Sequence, residues 1–316
     1  MKLIVQVPCY NEENTLPLVL KSIPKRISGI SKIETLIIDD GSKDKTIEVA
    51  KQLGVNYIVV HKQNKGLAAS FTDGINEALR QGADIIVNTD GDNQYPQKDI
   101  ARLVQPIVKG THDIVVANRQ TDKIAHFSPL KKILQKVGSK VVNLASGTNI
   151  PDAPSGFRAY SREAALSLNV VTSFSYCMET IIHAGKKKIA VTHVPVETNP
   201  KTRESRLFKN MFQHIQKSGV AIIRSYAMHE PFKIFLMSGI IVFVIGVTPF
   251  LRFLFLMLIY GDVISGHLQS LIFGSVFMIL GFLFVVMGII ADLLSINRKF
   301  LEDALYRLKK LEYDKN

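Results

Sequence analysis

Two apolar runs late in the chain, Phe232–Tyr260 and Leu268–Leu294, constrain it most. Each is longer than the ~20 residues that carry an α-helix across a bilayer. Two spanning helices are therefore expected, joined by Gly261-Asp262-Val263-Ile264-Ser265-Gly266-His267. That connector holds no Lys or Arg, whereas Lys217, Arg224 and Lys233 precede the pair and Arg298, Lys299, Arg307, Lys309 and Lys310 follow it. The positive-inside rule then sets both termini in the cytoplasm of a protein integral to the cytoplasmic (inner) membrane. Late in the first run, Arg252 is expected to snorkel outward or line a helix contact, and Pro249 to kink the helix.

The flanks read as amphipathic. Ser205–Met228 carries Phe208, Met211, Phe212, Ile215, Ile222, Ile223 and Tyr226 at helical spacing, interrupted by Lys209, Lys217 and Arg224, as in a helix lying in a membrane interface. Leu293–Leu311 continues as a tail that either packs on the soluble part or mediates assembly into a homo-oligomer. The expected organisation is a soluble domain over 1–205, a juxtamembrane helix over 206–231, the helix pair over 232–296 and the tail over 297–316. A net charge of +12 raises nucleic acid as a partner, but no nucleic-acid module is present and many basic residues sit beside the apolar runs, where anionic lipid is nearer. Met1-Lys2 leads directly into a strand-like run too short for a secretory signal core. Cys9 and Cys177 form no disulfide framework and read as buried thiols in a reducing compartment.

Ahead of Pro231 the pattern alternates strand and helix. Strand-like runs at Leu3–Val7, Glu34–Ile38, Tyr57–His61, Ala83–Val87 and Asp113–Ala117 alternate with helical patterns at Leu16–Ile23, Thr46–Leu53, Ala68–Arg80 and Lys98–Lys109. This predicts an α/β fold with a doubly wound, mostly parallel sheet. Polar clusters follow the strands, and ligands of such sheets collect at the strands' carboxyl ends. One edge, hence one site, is expected.

The chemistry centres on Asn88-Thr89-Asp90-Gly91-Asp92-Asn93-Gln94. Asp90 and Asp92, two positions apart in a loop, can converge on one hard cation, with Gln94 adding a neutral oxygen. Carboxylate and amide oxygens suit Mg²⁺ or Mn²⁺, which would neutralise a diphosphate. Asp39-Asp40-Gly41-Ser42 reads either as a turn capping the next helix or as an acceptor for a base N–H. Asn64-Lys65-Gly66 reads equally as a turn or a donor contact. Arg119 and Arg158 carry guanidinium forks that match phosphate, the alternative for Arg158 being a surface ion pair with Asp152 or Glu163. The histidines show no metal-ligand spacing and read as structural or exposed, and Glu179 either packs or shapes a sugar pocket.

With Pro8-Cys9-Tyr10-Asn11-Glu12, Asp39-Asp40-Gly41-Ser42, Asn64-Lys65-Gly66 and Asp90-Gly91-Asp92 in this order, the stretch Met1–Arg206 resembles the family 2 inverting glycosyltransferases of GT-A fold. Asp90-Gly91-Asp92-Asn93-Gln94, Ser155-Gly156-Phe157-Arg158 and Arg203-Glu204-Ser205-Arg206 make it most similar to the polyprenyl-phosphate sugar transferases, the dolichyl-phosphate mannose synthase group. The resemblance implies that Pro8, Tyr10, Glu12, Asp40, Lys65, Asp90 and Gly91 bind the donor, with Asp40 on the base. It implies metal and diphosphate at Asp90, Asp92 and Gln94, and acceptor phosphate at Arg119, Ser155, Arg158, Arg203 and Arg206. Asp92, Arg119 and Arg158 are the implied catalytic residues. Gly91, where mannosyl members often have Ala, and Asn93, in place of a frequent Leu, bear on the sugar.

The activity so implied is metal-dependent, inverting transfer of a hexose from GDP-mannose or a UDP-hexose to polyprenyl phosphate at the cytoplasmic face. Two other readings compete. A processive polysaccharide synthase of this family would carry Gln-x-x-Arg-Trp, and this chain has no Trp. A non-catalytic nucleotide-sugar-binding membrane scaffold gives no structural reason to keep Asp90, Asp92, Gln94 and both arginines together.

Overall fold

The computed structural model describes residues 1–124, 129–171, 176–200, 219–220, 224, 226–261 and 268–314. Most of the expected juxtamembrane helix 206–231, including Arg206, lies outside them, as do Arg203 and the connector 262–267. The chain divides into two compact units, Met1–Ser225 with Ala304–Asn316, and Tyr226–Asp303.

The first unit is built on one seven-stranded sheet of order β3-β2-β1-β4-β6-β5-β7. Its strands are β1 (Lys2–Cys9), β2 (Lys32–Asp39), β3 (Tyr57–Val60), β4 (Ile85–Asn88), β5 (Ile114–Asn118), β6 (Arg158–Ser161) and β7 (Val191–Pro195). All pairings are parallel except those of β6, which runs against β4 and β5. Leu3, Val5, Val7, Ile37, Ile85, Val87 and Val115 are fully buried, as strands covered on both faces require. The helices of this layer are α1 (Leu16–Ser22), α2 (Thr46–Gln52), α3 (Leu67–Arg80), α4 (Ile100–Val108), α5 (Pro129–Ser146), α6 (Arg162–Ser167) and α7 (Tyr176–Lys186).

At the edge where β1 and β2 begin, Glu34 is buried under Lys2 Nζ at 2.7 Å, Lys32 Nζ at 2.5 Å and the donating Tyr57 hydroxyl at 2.9 Å. Burial pushes its pKa up, but those hydrogen bonds outweigh it and bring Glu34 down to about 2 from 4.5. A carboxylate held low in the folded state adds its full stability above the unfolded value, and loses it as pH falls through the folded one. Glu34→Gln is thus expected to cost on the order of 2 kcal/mol near neutral pH. The difference from wild type should close between pH 4.5 and about 2, which thermal unfolding across that range will check.

The second unit holds α8 (Pro231–Tyr260) and most of α9 (Leu268–Tyr313). Both are long and apolar enough to cross a membrane, and only 11% of each one's most apolar stretch is buried, unlike the core helix of a water-soluble fold. Helix α8 continues through Pro249. The two helices approach through glycines seven apart, Gly239 and Gly246 on α8 and Gly274, Gly281 and Gly288 on α9. A methyl on Gly246 would sit 2.6 Å from Met278 N, and one on Gly281 would sit 2.7 Å from Phe243 N. Small residues at such a seam let backbones pack where water supplies no driving force.

The tail's two alternatives resolve toward packing on the soluble part. From Ala304 onward α9 belongs to the first unit, where the Tyr306 hydroxyl donates to Glu163 at 2.5 Å. Lys310 reaches the same carboxylate, Arg162 pairs with Asp314 at 2.9 Å, and the Arg80 guanidinium lies over the Tyr313 ring.

Candidate functional site

Strand register brings the sequence clusters to one edge. Cys9 pairs with Asp39 and Gln6 with Asn88, so the segments leaving β1, β2 and β4 start side by side. Ser155-Gly156-Phe157-Arg158 arrives differently, since it precedes a strand. Because β6 is reversed, its first residue Arg158 stands opposite Asn88 and Val116, and the loop Pro151–Phe157 reaches the edge where the parallel strands end.

The loops lace together through backbone donors. Asn11 N–H donates to Ser42 Oγ at 2.8 Å, Glu12 N–H to Thr46 Oγ1 at 2.8 Å, and Glu13 N–H to Asp44 at 3.1 Å. Asp44 also accepts from Thr46 N–H at 3.0 Å. Burial alone would raise the pKa of Asp44, and the hydrogen bonds from Thr46 and Glu13 hold it low instead. Asp40 is buried and committed: Lys65 N–H donates to one carboxylate oxygen at 2.8 Å and Gly66 N–H to the other at 2.9 Å. This gives Asp40 a structural task, shaping the turn 64–66.

His61 completes that support, the structural one of the two roles the sequence left open for it. Its Nδ1 is 2.7 Å from Asp40 Oδ1 and its Nε2 is 2.9 Å from Asp73 Oδ2, which ties the end of β3 to α3. Lys65 extends a half-exposed side chain whose Nζ is 3.4 Å from the same Asp73 oxygen. Neighbouring Asp39 is fully buried, with Oδ1 lacking a hydrogen-bond partner among the described residues.

The acidic turn is seated closely. A methyl on Gly91 would lie 3.1 Å from Cys9 Sγ, 3.2 Å from Glu12 Cγ and 3.4 Å from Pro8 O, so the 8–12 loop and the acidic turn touch. Cys9 and Cys177 are free and buried as expected, and burial pushes both thiols up in pKa. Glu12 is buried and accepts from Thr15 Oγ1 at 2.5 Å, while Tyr10 is partly exposed. Asp92 accepts from Gln94 twice, from the backbone N–H at 3.1 Å and from Nε2 at 2.9 Å. Gln94 therefore orients Asp92 through its nitrogen and keeps its carboxamide oxygen as a donor atom. Asp90, Asp92 and Gln94 are all partly exposed and offer only hard oxygens, a set that fits Mg²⁺ or Mn²⁺ once diphosphate oxygens join it. No group of three His, Cys, Asp or Glu able to hold a metal occurs among the described residues.

Behind Asp90 runs a buried polar chain. Gln6 Nε2 donates to Asn88 Oδ1 at 2.8 Å, and Asn88 Nδ2 donates to Gly156 O and to the Tyr176 hydroxyl, both at 2.9 Å. Gly156 N–H donates to the Tyr95 hydroxyl at 3.1 Å. A methyl on Gly156 would meet Tyr176 Oη at 2.9 Å, too close for any side chain, and would stand at ordinary contact, 3.5 to 3.6 Å, from both Asp90 oxygens, so glycine seats this loop against Tyr176 and beside that carboxylate. Tyr95 and Tyr176 are displaced upward in pKa by burial and stay neutral donors or acceptors.

The arginines correct the expectation most. Arg158 is completely buried. Its Nε donates to Ser155 O, Nη1 to Cys177 O and Thr180 Oγ1, and Nη2 to Ala153 O, at 2.6 to 2.8 Å. No phosphate reaches it there; it ties the 151–157 loop to α7. Ser155 is buried as well, with an Oγ that lacks a partner among the described residues, so neither residue presents a surface for an acceptor. The ion pair with Asp152, foreseen as the alternative for Arg158, is made by Arg119 instead: Nε and Nη2 each donate to Asp152 at 2.7 Å, and Asp152 also accepts from Arg119 N–H. Its side chain stays 15% exposed, with Nη1 outside this pairing.

Residues 4–168 match the family model described as Glycosyl transferase family 2. The UDP-N-acetylglucosamine–dolichyl-phosphate N-acetylglucosaminyltransferase of Methanococcus voltae is 31% identical over 213 residues, 61% of this chain and 83% of that protein. The undecaprenyl-phosphate 4-deoxy-4-formamido-L-arabinose transferase of Proteus mirabilis is 25% identical over 299 residues, 92% of this chain and 87% of that one. Among solved structures, glucosyl-3-phosphoglycerate synthase from Mycobacterium tuberculosis, crystallised with Mn²⁺, UDP and phosphoglyceric acid, superposes with a TM-score of 0.55 at 18% identity. That superposition covers 72% of this chain and 77% of the synthase, and it shows the shared GT-A fold.

Proposed function

The chain belongs to glycosyl transferase family 2 and is a glycosyltransferase, and on that premise we propose that it transfers one hexose from a nucleoside-diphosphate sugar to polyprenyl phosphate, inverting the anomeric centre. The observation that carries the reading is that one loop, Pro151–Phe157, touches both halves of the chemistry. Gly156 lies against the Asp90 carboxylate, and Asp152 holds the Arg119 guanidinium. A seat for a cation and a fork for a phosphate thus flank the same few residues. Lipid phosphates in the names of the M. voltae and P. mirabilis relatives support the acceptor class, and their differing sugars leave the donor to experiment.

In this reading the acceptor phosphate, largely dianionic with a second pKa near ~6, needs no general base from the protein. The protein's task is to bring two anions together and favour departure of the nucleoside diphosphate. Asp90, Asp92 and the Gln94 carboxamide oxygen would hold Mg²⁺ or Mn²⁺, which when bound supplies Lewis-acid neutralisation of the diphosphate. Arg119, aimed by Asp152, offers Nη1 to a phosphate oxygen. Tyr10 and Glu12 line the donor side, while Arg158 and Asp40 act by holding loops. The charge asymmetry around the apolar helices supports reaction at the cytoplasmic face.

The test incubates purified full-length protein with polyprenyl phosphate and a panel of radiolabelled GDP- and UDP-sugars. One donor is expected to yield a labelled lipid carrying a single sugar and one nucleoside diphosphate per turnover, abolished by EDTA and restored by Mg²⁺ or Mn²⁺. Labelled polymer, or nucleotide binding without sugar transfer from any donor, would overturn it.

A further inference from the structure

Strand β7 lies at the far edge of the sheet, beyond β6 and β5 as seen from β4, and runs parallel to β5. It therefore ends at the edge that carries the acidic turn, where Val196 N–H extends the ladder to Asn118 O at 2.8 Å. Three residues later the chain meets that turn. Asn199 N–H donates to Gln94 O at 2.9 Å, and its side-chain Nδ2 donates to Asn93 O at 2.9 Å and to Tyr95 O at 3.4 Å. One residue thus takes three consecutive carbonyls with its backbone donor and its side-chain amide. Asn93 turns the chain between them at φ 59°, a left-handed conformation that asparagine adopts more readily than most residues.

Peptide geometry carries this contact to the carboxylates. The C=O of Asn93 and the N–H of Gln94 belong to one planar unit, so their directions are fixed to each other. Asn199 holds the oxygen end of that unit, and the hydrogen end donates to Asp92 Oδ1 at 3.1 Å. Rotating the unit would break both bonds at once. Gln97 braces the turn from its own stretch of chain, donating to Thr89 Oγ1 at 2.9 Å and to Tyr95 O at 3.1 Å, whereas Asn199 grips it from 106 residues beyond Asn93.

We propose that Asn199 is a positioning residue for the cation seat, acting through the backbone carbonyls of the turn to fix the peptide unit on which Asp92 and Gln94 are oriented. The inference rests on the proposed function for what the seat holds, and on the hydrogen bonds for what holds the seat. Without Asn199, Gln94 keeps its bonds to Asp92, but the two swing together and converge with Asp90 on one ion less often.

Cys9 supplies a readout that needs neither metal nor turnover, because Gly91 of the same turn lies against its Sγ and the thiol is 2% exposed. Asn199 is itself partly exposed, so replacing it opens no cavity in the core. Full-length wild type, Asn199→Ala and Asn199→Leu would be alkylated with N-ethylmaleimide in the absence of metal, and each cysteine followed by peptide mass spectrometry. Both variants are expected to raise the Cys9 rate about tenfold, as local opening after loss of one or two net hydrogen bonds allows, with the Cys177 rate unchanged. Mn²⁺ binding in the presence of GDP or UDP, followed by electron paramagnetic resonance, should weaken about tenfold in the same variants. A wild-type Cys9 rate in both variants would overturn the inference. So would an equal rise at Cys9 and Cys177, which would mean a general loosening of the unit. Unchanged Mn²⁺ affinity in the variants, beside a wild type that binds the ion, would overturn the inference and leave the proposed function standing. A wild type that binds no Mn²⁺ with either nucleotide would overturn both.

Discussion

Asp92→Asn is expected to lower the transfer rate at saturating donor by about a thousandfold or more, since the proposed cation seat loses one of its two charges. The substitution is close to isosteric, and its Oδ1 still accepts the Gln94 N–H that Asp92 accepts at 3.1 Å. Fold and thermal stability should therefore be unchanged, and the loss should appear in kcat, in the metal concentration for half-maximal activity, and in donor affinity. Asp90→Asn should behave alike, with an added structural effect, because this carboxylate lies against Gly156 and Tyr176. Turnover by Asp92→Asn at the wild-type rate under saturating metal would remove the carboxylate pair from the mechanism, whatever donor and acceptor are found.

Arg158→Ala is expected to act on folding. It removes a fully buried guanidinium and strands four acceptors on Ala153, Ser155, Cys177 and Thr180. Losing one partner of a buried charged network costs about 4 kcal/mol, and a cavity adds to it. For a unit of this size, Tm should fall by on the order of 10 °C. Arg158→Lys should recover little, because one ammonium cannot span acceptors on three sides. Kinetics distinguish this from the phosphate-binding role suggested by sequence: a phosphate contact would leave Tm intact and raise KM for the acceptor lipid. A stable Arg158→Ala protein with a selective KM defect would return Arg158 to the acceptor site.

The parallel half of the fold was legible because each strand from β1 to β5 is an apolar run closed by a polar cluster, and each intervening helix has an ordinary inward apolar face. The segment after Asn118 gave no such signal. Helix α5 hides among lysines with its apolar face outward, and β6 is only Arg-Ala-Tyr-Ser, a strand whose first side chain is a buried charge. Asp90, Asp92 and Gln94 were readable from type and spacing. Arg158 was not: a fork beside a Pro- and Gly-containing loop suits phosphate or backbone carbonyls equally, and only burial separates the two. His61 read as structural or exposed, but its partners were not legible because Asp40 and Asp73 are distant in the chain, and the pairing of β2 with β3 brings Asp40 within reach. Ligand-spacing rules register neighbours in sequence, not neighbours across a sheet.

The reversed sixth strand also fixes where this architecture can vary. Strand β5 leaves the sheet at Asn118 and β6 re-enters at Arg158 along the same margin, so the intervening excursion never has to cross a sheet face. It can lengthen, shorten or exchange its helix without disturbing the crossovers that build the donor half. On the proposed function, divergence in which acceptors are served is expected to concentrate there, with recognition of the nucleotide tied to the parallel framework.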